Sequence, residues 1–259
     1  MVFITSPMSG CIVDAKKDFT DENSISNDCS QVNQSGVVLT FDDRKNLETW
    51  NASREMFQRY NVKATFFVDR WHTLNDSDIN ILRALMLEGH EIGFHTQNHA
   101  DYFKYLENNS SAIAYYDHEI LPGLEIMSQF GFYPTSFAYP NGHRDTEIDE
   151  LLFSNFSVLR GTRSNANHSN HWMSSCLKYD VFRSYHLPHI DLNVGEYEDR
   201  NKTIQSKLEI MRTDESALLF LNGHGIAGGG YPVSNDYLSD LFKQLNQENI
   251  PTFLISELI

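Results

Sequence analysis

The sequence predicts an α/β protein, a closed or nearly closed barrel of seven to eight strands in a single domain, with helices outside the strands. Three observations point there. Eight short apolar runs of strand character recur along the chain, helical stretches separate most of them, and 259 residues suffice for one large domain with its own core. Parallel βαβ units follow from that alternation, and at this length a barrel is the economical way to arrange them. A doubly wound open sheet is the other arrangement of the same units.

In chain order, residues 1–35 stand apart as a signal-like remnant and polar linker. Val2-Phe3-Ile4-Thr5 followed by Met8-Ser9-Gly10-Cys11 looks like the tail of a bacterial lipoprotein signal. That makes Cys11 a candidate lipid-anchor site and places the protein outside the cytoplasm, in the cell envelope or secreted. The basic start of such a signal is missing, and an ordinary thiol on an N-terminal arm is the other reading. Asp, Asn, Ser and Lys dominate the stretch 12–35 without periodicity.

The folded domain is expected over residues 36–259. It opens with strand Val37–Phe41, an uncharged apolar run, and helix Leu47–Tyr60. Strand Ala64–Val68 and helix Ser77–Glu88 come next, then strand Glu91–Phe94 and the long helix Ser110–Phe130. Strand Ser136–Tyr139 leads to helix Thr146–Asn155, and strands Ser157–Arg160 and Val181–His186 follow without a helical stretch between them. Helix Lys202–Met211, strand Ala217–Leu221, helix Asn235–Gln247 and strand Thr252–Ile255 complete the pattern.

Composition excludes some functions. Lys and Arg number 20 against 35 Asp and Glu, a net charge of -15, so no basic face invites nucleic acid or anionic lipid. No apolar stretch approaches the roughly 18 residues of a bilayer-spanning helix. Cys11, Cys29 and Cys176 lie at unrelated spacings that fit neither a disulfide framework nor a cysteine zinc site. Any metal must therefore be held by His and carboxylates.

In parallel α/β folds the reactive residues gather where strands end at the C-terminal face. Three places meet that condition. The first strand ends in Asp42-Asp43, whose side chains point to opposite faces unless the chain bends there; capping the next helix is the plainer use of such a pair. The third strand runs into His95-Thr96-Gln97-Asn98-His99, and imidazoles four apart share one side of a helical turn within reach of one ion. Spacing alone is weak evidence, as His168/His171 and His186/His189 show; the strand end sets His95/His99 apart. Asp43 is the natural third ligand, and a divalent ion on two His and one carboxylate keeps an open position for activating water and polarising a carbonyl. Asp42 then stands as general base. The seventh strand ends in Asn222-Gly223-His224-Gly225, which offers His224 as an acid for a leaving group, between glycines that allow close approach.

Thr40-Phe41-Asp42-Asp43, His95-Thr96-Gln97-Asn98-His99, Phe137-Ala138-Tyr139-Pro140-Asn141-Gly142 and Leu221-Asn222-Gly223-His224, in this order, resemble the successive motifs of the polysaccharide deacetylases, the NodB-homology group of carbohydrate esterases. The resemblance covers about residues 36–259. It implies a distorted (β/α) barrel that removes acetyl groups from an N-acetylated carbohydrate polymer or oligomer with one divalent metal, usually zinc. It further implies Asp42 as general base, Asp43, His95 and His99 as metal ligands, and His224 as general acid. A backbone N–H beside the third motif stabilises the oxyanion in the family, and because proline cannot donate, Tyr139 or Asn141 is the candidate. An O-acetyl carbohydrate esterase and a non-catalytic carbohydrate-binding pseudoenzyme are the rival readings.

The chain also departs from the family pattern. Many relatives begin the third motif with an Arg that pairs with the catalytic Asp, whereas this chain has Ser136-Phe137-Ala138-Tyr139. Its Phe-Ala-Tyr-Pro-x-Gly form is similar to the branch acting on exported poly-N-acetylglucosamine, and Arg160 and Arg163 are the candidates to substitute. An Asp-x-x-Asp-Trp fourth motif is missing; the nearest Trp is Trp172, which with Trp71 and Tyr102 lies in or near loops expected to ring the mouth, where each can stack on a sugar, ordinary packing being the plainer reading of any one of them. His168 and His171, in a stretch read as a loop over the mouth, are substrate contacts or solvated residues rather than a second metal site. The Asn222-Gly223 step before His224 differs from the usual Leu-x-Ile-x-His.

Overall fold

The protein is described here by a computed structural model, which covers residues 35–109, 111–162, 181–214 and 217–258. Eight strands, β1 (Gly36–Asp42), β2 (Thr65–Val68), β3 (Glu91–Phe94), β4 (Ser136–Ala138), β5 (Val158–Thr162), β6 (Val181–His186), β7 (Leu218–Gly223) and β8 (Thr252–Phe253), pair in parallel throughout. The ladders run β1 to β7 in sequence order, and β7 returns to β1, closing a seven-strand barrel. β8 shares an edge of β1 with β2: it pairs with Val37 and Val38, while β2 pairs with Thr40, Phe41 and Asp42. The closure is therefore complete only at the C-terminal end of β1, and β8 fills the seam below it.

Helices α1 (Leu47–Ala52), α2 (Arg54–Tyr60), α3 (Asp76–Leu87), α4 (Tyr102–Asn109), α5 (Ala112–Tyr115), α6 (Leu121–Gln129), α7 (Thr146–Leu152), α8 (Val194–Met211) and α9 (Asn235–Gln247) connect the strands. The expected helix Leu47–Tyr60 breaks at Ser53, whose hydroxyl donates to Thr49 O at 2.8 Å, a back-bond that competes with the helical ladder. The expected Ser110–Phe130 is α5 and α6 joined by a π-helical turn, Tyr116–Ile120, and α4 precedes it where no helix was expected. α8 begins at Val194 rather than Lys202, because Asn193 caps it by accepting from Glu196 N (3.0 Å) while its first turns bury too little to mark a helical stripe. No helix among the described residues is long and apolar enough to cross a membrane.

Strand alternation sorts the core into two layers. Val37, Leu39 and Phe41 of β1 face outward into the large cluster shared with the helices, whereas Val38 faces a smaller cluster with Phe67, Ala138, Val158, Phe182, Leu218 and Phe220 inside the barrel. The same parity sends Asp42 (β1), Arg160 (β5), Ser184 and His186 (β6) and Asn222 (β7) into the lumen above that apolar floor. Barrel closure thus decides which polar residues meet.

Gly93 of β3 leaves no room for a side chain, since a Cβ there would overlap the Phe67 ring and sit 2.8 Å from Ser136 Oγ. Gly93→Ala is expected to lower stability by about 1–3 kcal/mol through overpacking. A thermal or denaturant midpoint equal to wild type would contradict the close packing.

Candidate active site

Asp42 and Asp43 reach the same cavity by different means. Asp42, the last residue of β1, arrives by alternation; Asp43 adopts φ 75° and ψ 118°, so the chain turns as the strand ends while Asp43 N still donates to Phe67 O at 3.1 Å. The left-handed φ costs a non-glycine residue about 1 kcal/mol or more. It also brings the second carboxylate to the mouth.

Asp43, His95 and His99 form a cluster whose ligand atoms all lie within 4.8 Å of one another. Asp43 Oδ1 is 3.6 Å from His95 Nε2 and 3.1 Å from His99 Nε2, yet it is buried without a hydrogen-bond partner. His95 Nδ1 lies 2.7 Å from Ala138 O, a pure acceptor, so Nδ1 carries the proton and Nε2 turns its lone pair toward the cluster. The other Asp43 oxygen, Oδ2, is 3.1 Å from Lys45 Nζ. An orphaned carboxylate oxygen facing two imidazole nitrogens fits a divalent cation of the zinc type. Burial works to raise the Asp43 carboxyl pKa, and His95 and His99 in their protonated, donating form more than reverse it; a cation on the same atoms acts in the same direction.

Asp42 is 3% exposed and Arg160 is 0% exposed. Arg160 Nη2 donates to Asp42 Oδ1, and the guanidinium lies 5.1 Å from the Phe67 ring centre. Burial pushes the Asp42 carboxyl up, but Arg160, with His95 and His224 behind it, brings it below the ordinary carboxylate value. Across the β4–β5 ladder Arg160 is the register partner of Ala138. The cation is therefore carried by the neighbouring strand, directly opposite the third-motif alanine.

His224 follows β7, with its backbone carbonyl accepting from Trp50 Nε1 at 2.7 Å. Burial lowers its pKa, and the carboxylates of Asp42 and Asp43 oppose the shift without cancelling it. His186 stacks on it, rings 6.3 Å apart and 9° from parallel. Asn222 Nδ2 donates to His186 Nδ1 (2.9 Å) and Ser184 Oγ donates to Asn222 Oδ1 (2.9 Å), while burial, reinforced by the positive charge of His224 and Arg200, holds the His186 pKa down to about 4.

Asp42, Lys45, the Asp43–His95–His99 cluster, His186, Asn222 and His224 line one cavity of about 460 Å³, together with Asn141, Thr162, Leu187, His189, Arg200 and Tyr231. Of the two expected oxyanion donors, Tyr139 is ruled out as a backbone donor because its N–H is spent on Arg160 O at 3.0 Å. Asn141 remains, at φ 57° with its side chain tied to Asp101 Oδ2 (2.9 Å). Trp71 and Tyr102 are not at the mouth: both are fully buried, Trp71 donating to Val68 O and Tyr102 to Asp145. Arg163, Trp172, His168, His171 and the three cysteines lie outside the described residues. Lys45, His186, Asn222, Arg200 and Tyr231 were not expected in the site, although the strand-end position of His186 was a signal that could have found it.

Comparison with known proteins adds kinship to this geometry. Residues 30–154 match the family model described as polysaccharide deacetylase. A peptidoglycan-N-acetylglucosamine deacetylase of Bacillus cereus is 32% identical over 108 residues, 42% of this chain and 36% of the relative, so the match spans about a third of that protein. Among solved structures, the chitin deacetylase of Colletotrichum lindemuthianum has a TM-score of 0.61 at 16% identity, with 89% of each chain covered. A family 4 acetyl xylan esterase from Clostridium thermocellum, in complex with a cobalt ion, has a TM-score of 0.55 at 21% identity, covering 86% of this chain and 89% of that one. These structures share the fold.

The cluster geometry makes a direct prediction. His95→Ala and His99→Ala should each abolish stoichiometric divalent metal in a protein that still folds, Asp43→Asn should weaken it, and Asp42→Asn should retain it. Metal content after purification without chelator is the measurement; a full equivalent of zinc in both histidine variants would remove them from the ligand set.

Proposed function

The chain is a relative of the polysaccharide deacetylases, and on that premise we propose that it is a metal-dependent hydrolase removing acetyl groups from N-acetylated sugars of a carbohydrate polymer or oligomer. The observation that carries this reading is the meeting of a buried, ionised Asp42 with the Asp43–His95–His99 cluster and His224 in one cavity. A carbohydrate-binding surface alone has no use for that combination. Zinc is the ion proposed for the cluster, and such a cation polarises the acetyl carbonyl and acidifies water.

The chain's own residues supply the rest. Asp42 accepts the proton of the attacking water as its oxygen bonds to the carbonyl carbon. The Asn141 N–H donates to the oxyanion that develops. His224 then gives a proton to the nitrogen as the C–N bond breaks, releasing acetate and leaving the amine on the sugar; the lowered pKa makes its protonated ring a stronger acid toward that nitrogen. Arg160 keeps Asp42 ionised, and Lys45 occupies Asp43 Oδ2 so that Oδ1 faces the cluster.

A polymer of this class lies outside the cytoplasm, which agrees with the signal-like start and with Cys11 as a proposed lipid-anchor site. Acetate release from N-acetylglucosamine oligomers and from acetylated xylan, each with and without added zinc, tests the reading. Release from xylan alone would replace it with the O-acetyl esterase, and release from neither would favour the pseudoenzyme.

Asp42→Asn should lower kcat by on the order of 10²–10⁴-fold. His224→Ala should impair amide hydrolysis far more than hydrolysis of an activated aryl acetate, whose leaving group needs no proton. Equal losses on the two substrates would take the acid role from His224.

The pH dependence carries a sign. Arg160 helps to hold the Asp42 pKa below its ordinary value; Arg160→Met should raise it, and because only the carboxylate accepts a proton, the acidic limb of kcat/KM should move to higher pH. An unmoved limb would remove Arg160 from the tuning of Asp42.

A further inference from the structure

We propose that Glu119 is a positioning residue for the cation site, holding the turn that joins His95 to His99 so that the second imidazole faces Asp43. The proposal rests on the ligand assignment above and goes beyond it, because Glu119 lies on a different element and is not one of the clustered ligands.

The turn between the two histidines is under backbone strain. Thr96 adopts φ 71° and His99 φ 58°, both in the left-handed region that side chains other than glycine occupy at a cost of about 1–2 kcal/mol each. Such a conformation persists only where the surroundings enforce it. Arg70 N donates to Thr96 O at 3.2 Å, and the contacts on the backbone of Gln97, Asn98 and Ala100 come from one helical segment.

Glu119 Oε2 accepts from Asn98 N at 2.8 Å, Glu119 Oε1 accepts from Asn98 Nδ2 at 2.7 Å, and Glu119 O accepts from Gln97 N at 2.8 Å. One turn earlier on the same segment, Tyr115 Oη donates to Ala100 O at 2.9 Å, on the far side of His99. The segment therefore grips the turn on both sides of the second ligand. Glu119 is 4% exposed, and among the described residues no Lys or Arg forms an ion pair with it. A carboxylate buried among neutral donors is costly to keep and strong as an acceptor, so its two bonds to Asn98 are short and directional.

The local fold is arranged around this contact. Glu119 sits in the π-helical turn Tyr116–Ile120, and π turns interrupting α-helices are uncommon and frequent at functional sites. Gly123, on α6, lets the helix lie against the end of β3: a Cβ there would be 2.6 Å from Phe94 Cε2 and 3.2 Å from Gln97 Oε1. The close approach brings Glu119 over the turn.

The test compares zinc affinity, by competition with a chelator of known affinity, in wild type, Glu119→Gln and Asn98→Ala, with thermal midpoints measured alongside. Glu119→Gln keeps an acceptor for Asn98 N but sets its own NH₂ against Asn98 Nδ2. It should weaken zinc binding ten- to a hundredfold, the usual scale for a group that orients a ligand, with kcat recovering toward wild type at saturating zinc. Asn98 is exposed, so Asn98→Ala remains informative where Glu119→Gln does not fold; it should weaken zinc binding several-fold. Unchanged affinity in these variants, including a lower thermal midpoint with unchanged affinity, would overturn the positioning role. Wild-type protein that binds no zinc would overturn the ligand assignment, and this role with it.

Discussion

A carboxylate and a guanidinium buried together inside the barrel set the terms for everything above them. Removing either charge from water costs several kcal/mol, and a lone Asp42 or a lone Arg160 in this lumen would be left unpaired. Each makes the burial of the other tolerable. Alternation brings them there from β1 and β5, above a floor of Val38, Phe67, Val158, Leu218 and Phe220. The lumen is consequently divided, apolar below and ionic above, with the reactive groups confined to the upper half.

That division forces strain on the rim. Asp43, Thr96, His99 and Asn141 all have positive φ although none is glycine. A strand that simply ran on would point alternate side chains away from the cavity, so each loop turns sharply to return its donor to the centre. Each turn is held from outside: Asp43 by Phe67 O, the His95–His99 turn by Glu119, and Asn141 by Asp101, which also accepts from His143 Nδ1 at 2.8 Å. Rigidity at the mouth comes from these outer contacts rather than from loop propensity.

Much of this was legible in the sequence because buried parallel strands read as uninterrupted apolar runs and end at the face where chemistry gathers. Asp42, Asp43, His95, His99 and His224 stood out for that reason. Arg160 was one of two candidates; the β4–β5 register sets it opposite Ala138, and Arg163 lies outside the described residues. Tyr139 looked available until that same register committed its N–H to Arg160 O. Trp71 and Tyr102 had two readings, sugar stacking and ordinary packing, because periodicity does not distinguish a loop aromatic at the rim from one folded into the core; both pack in the core. The π turn at Tyr116–Ile120 and the break at Ser53 have no strong local signature; both arise from packing and side-chain bonds. His186 belongs to no motif, and only the β6–β7 register makes it the partner of Asn222, two residues before His224.

The His224 side of the cavity is built differently from the Asp42 side. Asp42 is tuned by a full charge, whereas His224 has no carboxylate in hydrogen-bond contact among the described residues; its ring faces the stacked, neutral His186 and, at 5.5 Å, the ring of Tyr231. Position is fixed instead of charge. Asn46 Nδ2 donates to Asp42 O at 3.0 Å, and Asn46 Oδ1 accepts from Gly230 N at 2.9 Å, while Thr49 Oγ1 accepts from Ile226 N at 3.2 Å and Trp50 Nε1 donates to His224 O. The segment that leaves β1 through Asp42 and Asp43 thus returns to hold the glycine-rich loop that follows His224. Asp42 and His224 are located relative to each other through the side chains of Asn46, Thr49 and Trp50, which bond to the backbone on both sides of the cavity.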